Sequence, residues 1–249
     1  MAVRICFKVA NLVIDIGNTA LKAAWADGIT LGKTFRYQGE KMSEFILSLV
    51  SRDKPEVMVI STVRELPQQT EERFRKECGT LVILDSRHQD VLESKGLPLF
   101  FTPDRAASAI ASRYLFKGRA CTIFDFGTTL TIDFLDADGN YLGGNISPGC
   151  RTRFKSLNRY SRSLPLLDTP EDAGVIGKDI KSSVESGVIS GIIFEIEGYL
   201  GQFPDNIAVF TGGDAIYFAK RMKNSIFVVC NLVLMGLALI AEDYVEKDL

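Results

Sequence analysis

The sequence has few of the residues and patterns that are typical of zinc-binding, disulfide-bonded, nucleic-acid-binding or membrane-spanning proteins. Only one of its 249 residues is histidine, and its five cysteines form no CxxC pair, so neither a zinc site nor a disulfide framework is predicted. The formal net charge of -2 offers no basic surface for nucleic acid or an anionic membrane. The longest apolar segment, residues 226–241, contains Asn231 and is shorter than the roughly 20 residues that cross a bilayer.

The remaining histidine and cysteines are predicted to have structural roles. His88 lies among polar residues and is expected at the surface. Cys121 and Cys230 lie in apolar runs and are expected to be buried thiols in a reducing compartment. Near the N-terminus, Arg4 and Lys8 interrupt the apolar stretch, which is not typical of a signal peptide. We therefore expect a cytoplasmic protein without nucleic-acid or membrane partners.

The sequence contains an internal repeat whose copies lie about 110 residues apart. An apolar run that ends in DxGxT occurs at residues 12–19 and again at residues 122–129, and a second strand-like run follows each copy. These second runs end at Asp27-Gly28 and Asp138-Gly139, and Asp-Gly pairs are strong signals for a hairpin turn. Two copies of strand, turn, strand and turn predict two similar half-domains.

Helices and strands alternate through the rest of the chain, which predicts the α/β class. The predicted helices are residues 42–52, 68–78, 105–116, 184–200 and 216–222 and a C-terminal amphipathic helix that ends near Val245, and the predicted strands are residues 57–61, 80–84, 207–210 and 226–230. No linker rich in Pro, Gly or Ser separates the repeats. The half-domains, residues 1–117 and 118–249, are expected to pack closely with a cleft between them.

Each DxGxT turn has residue types suited to a phosphate and a hydrated metal ion. In the first copy Gly17 lets the backbone approach a ligand, and the turn amides and the Thr19 hydroxyl can meet phosphate oxygens. Asp15 can hold a hydrated Mg²⁺, and Lys22 can add positive charge toward a phosphate. The alternative is an ordinary hairpin turn. Because the motif occurs twice, we favour two turns that hold a nucleoside triphosphate.

A third glycine-rich turn follows the strand that ends at Phe210. Here Gly212 and Gly213 would let a base or ribose lie against the backbone, and the N-terminus of the next helix favours anions. The alternative is a plain connection between a strand and a helix.

Four motifs resemble those of type III pantothenate kinases, in the same order. They are Asp15-x-Gly-Asn-Thr-x-x-Lys22, Asp125-x-Gly-Thr-Thr-x-Thr-x-Asp133, Gly143-Gly-Asn-Ile-Ser-Pro-Gly149 and Thr211-Gly-Gly-Asp214. The resemblance extends from about residue 11 to residue 243. It implies the actin/hexokinase type of fold, with two actin-like (ribonuclease H-like) ATPase half-domains.

The resemblance also implies an activity, its cofactors and a set of site residues. The implied reaction is ATP-dependent phosphorylation of pantothenate to 4'-phosphopantothenate, the first step of coenzyme A biosynthesis, with Mg²⁺, a monovalent cation (K⁺ or NH₄⁺) and a homodimer. The implied ATP-binding residues are Asp15, Gly17, Asn18, Thr19, Lys22, Thr128, Gly212 and Gly213. The implied metal ligands are Asp15 and Asp125.

The pair Asp104-Arg105 looks like the Asp-Arg of the family's GxDR motif. An aspartate beside the acceptor hydroxyl can take its proton as the phosphoryl group is transferred, so Asp104 is the candidate catalytic residue. The planar fork of Arg105 suits a carboxylate such as that of pantothenate. The alternative for Asp104 is the N-cap of the helix that follows.

The acceptor motifs depart from the family pattern in two places. The family's loop has an aromatic residue and a proline before GxDR, whereas here the glycine is absent and the loop is several residues shorter. The family's substrate-lining tyrosine corresponds to Phe100 or Phe101, and its G-K-x-T segment ends in Ile180, which has no hydroxyl. Two alternatives therefore stay open: a kinase of this fold for another small hydroxyl acceptor, and a catalytically impaired regulatory homologue.

Overall fold

The computed structural model describes residues 10–245, which form two compact α/β units. One unit contains the described residues up to Ala111 together with those from Leu232 onward, and the other is Ser112–Asn231. Each unit is built around one five-stranded mixed sheet. The predicted α/β class with two similar halves is therefore confirmed.

The sheet of the first unit joins an antiparallel meander to two parallel strands. Its strands are β1 (Asn11–Ile16), β2 (Leu21–Asp27), β3 (Thr30–Tyr37), β4 (Val57–Thr62) and β5 (Thr80–Leu84). The order across the sheet is β3-β2-β1-β4-β5, with β1, β4 and β5 parallel to one another. Because parallel strands end at the same edge, residues that follow β1, β4 and β5 come together there.

The sheet of the second unit repeats this arrangement. Its strands are β6 (Cys121–Phe126), β7 (Thr129–Leu135), β8 (Tyr141–Pro148), β9 (Ile207–Gly212) and β10 (Ile226–Val228). The order is β10-β9-β6-β7-β8, which reads β8-β7-β6-β9-β10 from the other edge and so matches the first sheet strand by strand. The internal repeat seen in the sequence is thus a repeat of the whole sheet, and the hairpin turns predicted at Asp27-Gly28 and Asp138-Gly139 join β2 to β3 and β7 to β8.

Helices cover the strands of both units. Those within the described residues are α1 (Met42–Leu49), α2 (Gln68–Arg75), α3 (Asp90–Ser94), α4 (Pro103–Leu115), α5 (Cys150–Tyr160), α6 (Ile180–Gln202), α7 (Ala215–Ala219) and α8 (Leu232–Val245). The core of the first unit forms where Leu12, Ile14, Met58 and Ile60 of the sheet pack against neighbours such as Phe74 of α2. In the second unit the core is rich in phenylalanine, and the rings of Phe126 and Phe218 stack with their centroids 5.2 Å apart.

The last helix, α8, packs on the first sheet rather than the second. It contacts β1, β2, β3 and β4, and the backbone at Gly236 lies so close to that of Ala107 in α4 that a side chain would overlap it. No position of α8 is fully exposed, so this helix is less amphipathic than predicted. The two units differ from the predicted halves 1–117 and 118–249, because α8 belongs to the first unit. The predicted boundary near residue 117 stays a prediction.

Two predictions about single residues have different outcomes. His88 is partly exposed, as expected, and its Nδ1 lies 2.8 Å from Oδ1 of the buried Asp85. Cys121 is buried in β6, but the prediction for Cys230 is wrong, because this thiol is exposed beyond the end of the short edge strand β10. The predictions for Arg4 and Lys8 lie outside the described residues. Within residues 10–245, no helix is both long enough and apolar enough to cross a bilayer.

Candidate functional site

The first DxGxT turn carries Asn18 and Thr19 at an exposed tip between β1 and β2. The amide of Gly17 donates to the carbonyl of Ala20 over 3.1 Å, and the guanidinium Nη2 of Arg64 donates to the carbonyl of Asn18 over 3.0 Å. The first hydrogen bond closes the turn on itself, and the second connects the turn to the segment that follows β4. It presents backbone and hydroxyl groups next to an arginine, which is a suitable setting for phosphate oxygens.

Asp15 lies at the end of β1, just before this turn, and is partly buried. Its Oδ1 accepts a hydrogen bond from the Ser61 hydroxyl over 3.1 Å, and Lys22 is its register partner on β2. Burial and then the nearby charge of Asp104 raise the pKa of Asp15 to about 6, although the Ser61 hydrogen bond and the Lys22 charge act against that rise. A carboxylate that is desolvated and repelled by a second carboxylate gains when a cation binds beside it.

Asp104 is the second residue of α4, and the amide of Arg105 donates to its Oδ1 over 3.0 Å. Because α4 begins at Pro103, Asp104 lies inside the helix rather than at its N-cap, and the N-cap alternative for this residue is wrong. Asp104 also lies close enough to Asp15 for the two charges to repel. The structure therefore pairs Asp15 with Lys22 of the same motif and brings Asp104, far along the sequence, near Asp15.

Arg105 points away from solvent and stacks on an aromatic ring. Its side chain is 7% exposed, and its guanidinium carbon lies 4.6 Å from the ring centroid of Phe101, which is itself buried. Phe100 is 71% exposed and packs edge-on against Phe101 with the centroids 5.7 Å apart. Of the two phenylalanines proposed to correspond to the family's tyrosine, Phe101 contacts Arg105 and Phe100 faces solvent.

The second DxGxT turn is one residue shorter than the first. Ile16 pairs with Leu21 across the first turn, so four residues intervene, whereas Phe126 pairs with Leu130 and three residues intervene. Thr128 lies at its exposed tip. The two turns are therefore similar in sequence but differ in backbone conformation.

The segment after β8 holds the second turn in place. The carbonyl of Thr128 accepts hydrogen bonds from the amide of Gly149 over 3.1 Å and from the hydroxyl of Thr152 over 2.6 Å. Gly149 lies against the carbonyl of Gly127 with no room for a side chain. This close approach explains why a glycine ends the motif Gly143–Gly149.

Asp125 and Gly212 lie side by side at the ends of β6 and β9. Gly212 has φ +91°, and a Cβ on it would overlap the Asp125 carboxylate. The amide of Gly213 donates to the carbonyl of Phe126 over 2.9 Å, which ties this turn to the end of β6. Burial raises the pKa of Asp214, the next residue. The structure thus brings together Asp125, Gly212 and Gly213 within the second unit.

Ile180 begins α6 and is 61% exposed. The helix N-terminus is capped at Asp179, whose Oδ1 accepts from the amide of Ser182 over 2.8 Å. Ile180 lines a cavity of about 930 Å³ between α5 and α6, a size typical of small-molecule sites. The family's G-K-x-T segment is therefore placed at a concave surface of the second unit.

The carboxylates present fit a divalent cation that also binds phosphate. Within residues 10–245, no group of three or more His, Cys, Asp or Glu side chains is arranged to hold a metal ion. Mg²⁺ bound to a nucleotide needs only one or two protein carboxylates, because water and phosphate oxygens supply its other ligands. The desolvated carboxylate of Asp15 offers a hard oxygen donor of this kind.

Sequence reasoning missed three residues that support the two turns, namely Ser61, Arg64 and Thr152. The first two follow from the parallel pairing of β1 and β4, because their carboxyl ends meet at one sheet edge. That pairing could have been predicted from the buried-strand pattern at residues 57–61. The role of Thr152 depends on α5, which was not predicted.

The chain is similar to known proteins over most of its length. A family model described as type III pantothenate kinase matches residues 11–202. A type III pantothenate kinase of Flavobacterium johnsoniae is 31% identical over 245 residues, which cover 95% of this chain and 99% of the relative. One of Phocaeicola vulgatus is 34% identical over 234 residues, covering 91% and 96% respectively.

Solved structures support the fold independently. The activator of 2-hydroxyisocaproyl-CoA dehydratase from Clostridium difficile has a TM-score of 0.58 at 12% identity, with 96% of each chain covered. The ROK hexokinase of Thermus thermophilus has a TM-score of 0.55 at 13% identity, with 95% of this chain and 99% of that chain covered. These likenesses confirm the actin/hexokinase type of fold. The chain belongs to the type III pantothenate kinase family.

Proposed function

We propose that the protein catalyses the ATP-dependent phosphorylation of pantothenate to 4'-phosphopantothenate, the first step of coenzyme A biosynthesis. Family membership supports the reaction, and the names of the relatives supply the acceptor. The observation in the structure that carries the proposal is that Asp104 lies near enough to Asp15 for their charges to interact. One carboxylate is suited to an acceptor hydroxyl and the other to the cation of a nucleotide.

The turn residues would bind the phosphates of ATP. In the first unit we assign this role to Gly17, Asn18, Thr19 and Lys22, with Asp15 holding Mg²⁺. When bound, Mg²⁺ supplies positive charge that neutralises the phosphate oxygens during transfer. In the second unit we assign Thr128 to phosphate, and Asp125 to a cation.

The third turn, also in the second unit, would bind the nucleoside. We assign Gly212 and Gly213 to the base or ribose, because two glycines in a row leave the backbone uncovered and a planar group can lie on it. The hydrogen bond from Gly213 to Phe126 fixes that backbone before ATP arrives.

Asp104 would act as the general base. Its carboxylate accepts the proton of the pantothenate hydroxyl as the oxygen forms its bond to the γ-phosphorus and the bond to ADP breaks. Positioning and charge neutralisation supply most of the rate, as in other phosphoryl transfers.

Arg105 would bind the pantothenate carboxylate. The stacking of its guanidinium on Phe101 holds the planar fork in one orientation, so less conformational entropy is lost on binding. We assign further contacts with the acceptor to Phe100 in the first unit and, separately, to Ile180 in the second, because each is an exposed hydrophobic side chain. The resemblance further supports activation by K⁺ or NH₄⁺ and a homodimer, which rate measurements in each salt and sedimentation analysis would test.

A coupled assay of ADP release with pantothenate, ATP, Mg²⁺ and K⁺ tests this function. We expect turnover that depends on pantothenate and that Asp104→Asn nearly abolishes. Binding of Mg²⁺·ATP without any pantothenate-dependent turnover would contradict the proposal.

One observation favours a second candidate function, phosphorylation of a different small hydroxyl compound. Helix α4 begins at Pro103, two residues after the buried Phe101, so the acceptor loop is short. The same assay with sugars, polyols and pantothenate analogues separates the two functions. A compound with a higher kcat/KM than pantothenate would support the second one.

A further inference from the structure

In both sheets, the aspartate of the DxGxT motif has a buried hydroxyl residue opposite it on the neighbouring parallel strand. In the first sheet Asp15 of β1 pairs with Ser61 of β4, and Ser61 is 1% exposed. In the second sheet Asp125 of β6 pairs with Thr211 of β9, and Thr211 is 2% exposed. The repeat thus includes a hydroxyl at the same register position, beyond the DxGxT turn itself.

The Ser61 hydroxyl is directed at Asp15. It donates to Oδ1 over 3.1 Å, whereas the next hydroxyl on the strand, that of Thr62, bonds the backbone of Arg64. The four residues of β4 before Ser61 are Val, Met and Ile, so polar side chains occur only at the end of this buried apolar strand, at Ser61 and Thr62. A buried hydroxyl is unfavourable without a partner, and here the partner is the carboxylate.

We propose that Ser61 is a positioning residue that fixes the Asp15 carboxylate for the divalent cation of Mg²⁺·ATP. This inference rests on the proposed function, in which Asp15 holds that cation. A hydrogen bond to a ligand carboxylate restricts its rotation, so that it meets the metal in one orientation. Residues that orient metal ligands in this way contribute substantially to metal affinity.

Binding of Mn²⁺ in the presence of a non-hydrolysable ATP analogue, followed by electron paramagnetic resonance, tests the role of Ser61. We expect Ser61→Ala to weaken Mn²⁺ binding by about 10-fold. Ser61→Thr keeps the hydroxyl, and Thr211 occupies the matching position in the second sheet, so we expect it to retain most of the affinity. The matched control is Ser108→Ala, because Ser108 is also buried but its hydroxyl has no hydrogen-bond partner in the part of the chain that the structure describes.

Three outcomes would overturn the inference. If Ser61→Ala keeps its Mn²⁺ affinity while Asp15→Asn loses it, Ser61 has no positioning role, although Asp15 still holds the cation. If Ser61→Ala and Ser61→Thr lose affinity equally and both have a lowered Tm, the role of Ser61 is only structural. If Asp15→Asn also binds Mn²⁺ normally, the metal assignment fails together with the inference, while ADP release by the unmodified protein still tests the kinase function separately.

Discussion

The carboxylates of Asp15 and Asp104 lie close enough for their negative charges to repel, although one ends a strand and the other begins a helix. Repulsion of this kind lowers the stability of the empty protein and is relieved when a cation binds. The two residues therefore link the stability of the first unit to pH and to the presence of metal and nucleotide.

The first prediction concerns the pH dependence of stability. Burial first, and then Asp104, raise the pKa of Asp15 from 3.8 to about 6. Its contribution to stability is therefore fully present below pH 3.8 and is lost as the pH rises through about 6, because ionisation then opposes folding. The loss amounts to about 3 kcal/mol at most, since one pKa unit corresponds to about 1.4 kcal/mol.

Asp15→Asn should accordingly raise the Tm of the ligand-free protein at pH 7 and leave it nearly unchanged at pH 4. Thermal unfolding at both pH values measures this difference, and Asp53→Asn at an exposed position is the control. A Tm of Asp15→Asn at or below that of the unmodified protein at pH 7 would contradict the raised pKa.

The second prediction separates binding from chemistry at Asp104. Asp104→Asn should lower kcat by about 10²–10⁴-fold, the usual effect of losing a general base. Binding of Mg²⁺·ATP, measured by calorimetry, should change little, because the amide oxygen of Asn can still accept the bond from the Arg105 amide. Asp90→Asn, in the first turn of α3, is the control for a changed helix-terminal charge. An unchanged kcat in Asp104→Asn would remove Asp104 from the reaction.

The third prediction compares two neighbouring glycines. Gly212→Ala should lower stability by at least about 2 kcal/mol, because an alanine is strained at φ +91° and its Cβ would overlap the Asp125 carboxylate. Gly213→Ala should change stability by less than about 0.5 kcal/mol, because its Cβ would lie 3.9 Å from the nearest atom, the Phe126 carbonyl oxygen. Urea unfolding of both variants measures the difference, and equal values would show that Asp125 does not pack on Gly212.

The fourth prediction restores a hydroxyl at the start of α6. Ile180→Thr should lower the KM for pantothenate severalfold, since one hydrogen bond contributes about 0.5–1.5 kcal/mol. Steady-state kinetics measure the change. Ile176→Thr is the control, because Ile176 is also an exposed isoleucine. If both variants leave KM unchanged, the segment at Ile180 does not contact the acceptor.

The fifth prediction concerns the packing of the last helix. Gly236→Ala should lower the free energy of unfolding by about 3 kcal/mol, since its Cβ would overlap the backbone of Ala107. Gly198→Ala in α6 has open space around the new Cβ and should stabilise by about 0.5–1 kcal/mol instead. Thermal or urea unfolding of the two variants should give changes of opposite sign, and a change of the same sign would argue against the close contact at Gly236.

The sequence predicted the sheets best where strands are buried on both faces. The runs at β1, β4, β5, β6 and β9 are nearly continuous in Val, Ile, Leu and Phe, and their residues are mostly buried. By contrast, the hairpin turn at Asp27-Gly28 was predicted but the bounds of the strand after it were not, because β3 (Thr30–Tyr37) has mainly exposed residues. A strand that buries little apolar surface leaves no clear pattern in the sequence, whereas the edge strand β5 is apolar and was predicted.

The site could be predicted only for residues that lie within a motif. Asp15, Lys22 and Asp125 belong to repeated or spaced patterns, and the register of the strands sets Asp15 opposite Lys22 and Asp125 opposite Thr211. The closeness of Asp15 and Asp104 depends on how α4 approaches the sheet, which no spacing along the chain reveals. The stacking of Arg105 on Phe101 could not be predicted from the sequence either, because it depends on the burial of both side chains.

The return of α8 to the first sheet has a consequence for synthesis on the ribosome. The second unit, Ser112–Asn231, is one continuous segment and can close as soon as it has emerged. The face of β1 and β4 that α8 covers must wait until that helix has left the exit tunnel, so the earliest strands to be made belong to the unit that is completed last. Until then this apolar face is open to chaperones, and a nascent chain that has emerged only as far as Asn231 would carry a complete second unit and an incomplete first one.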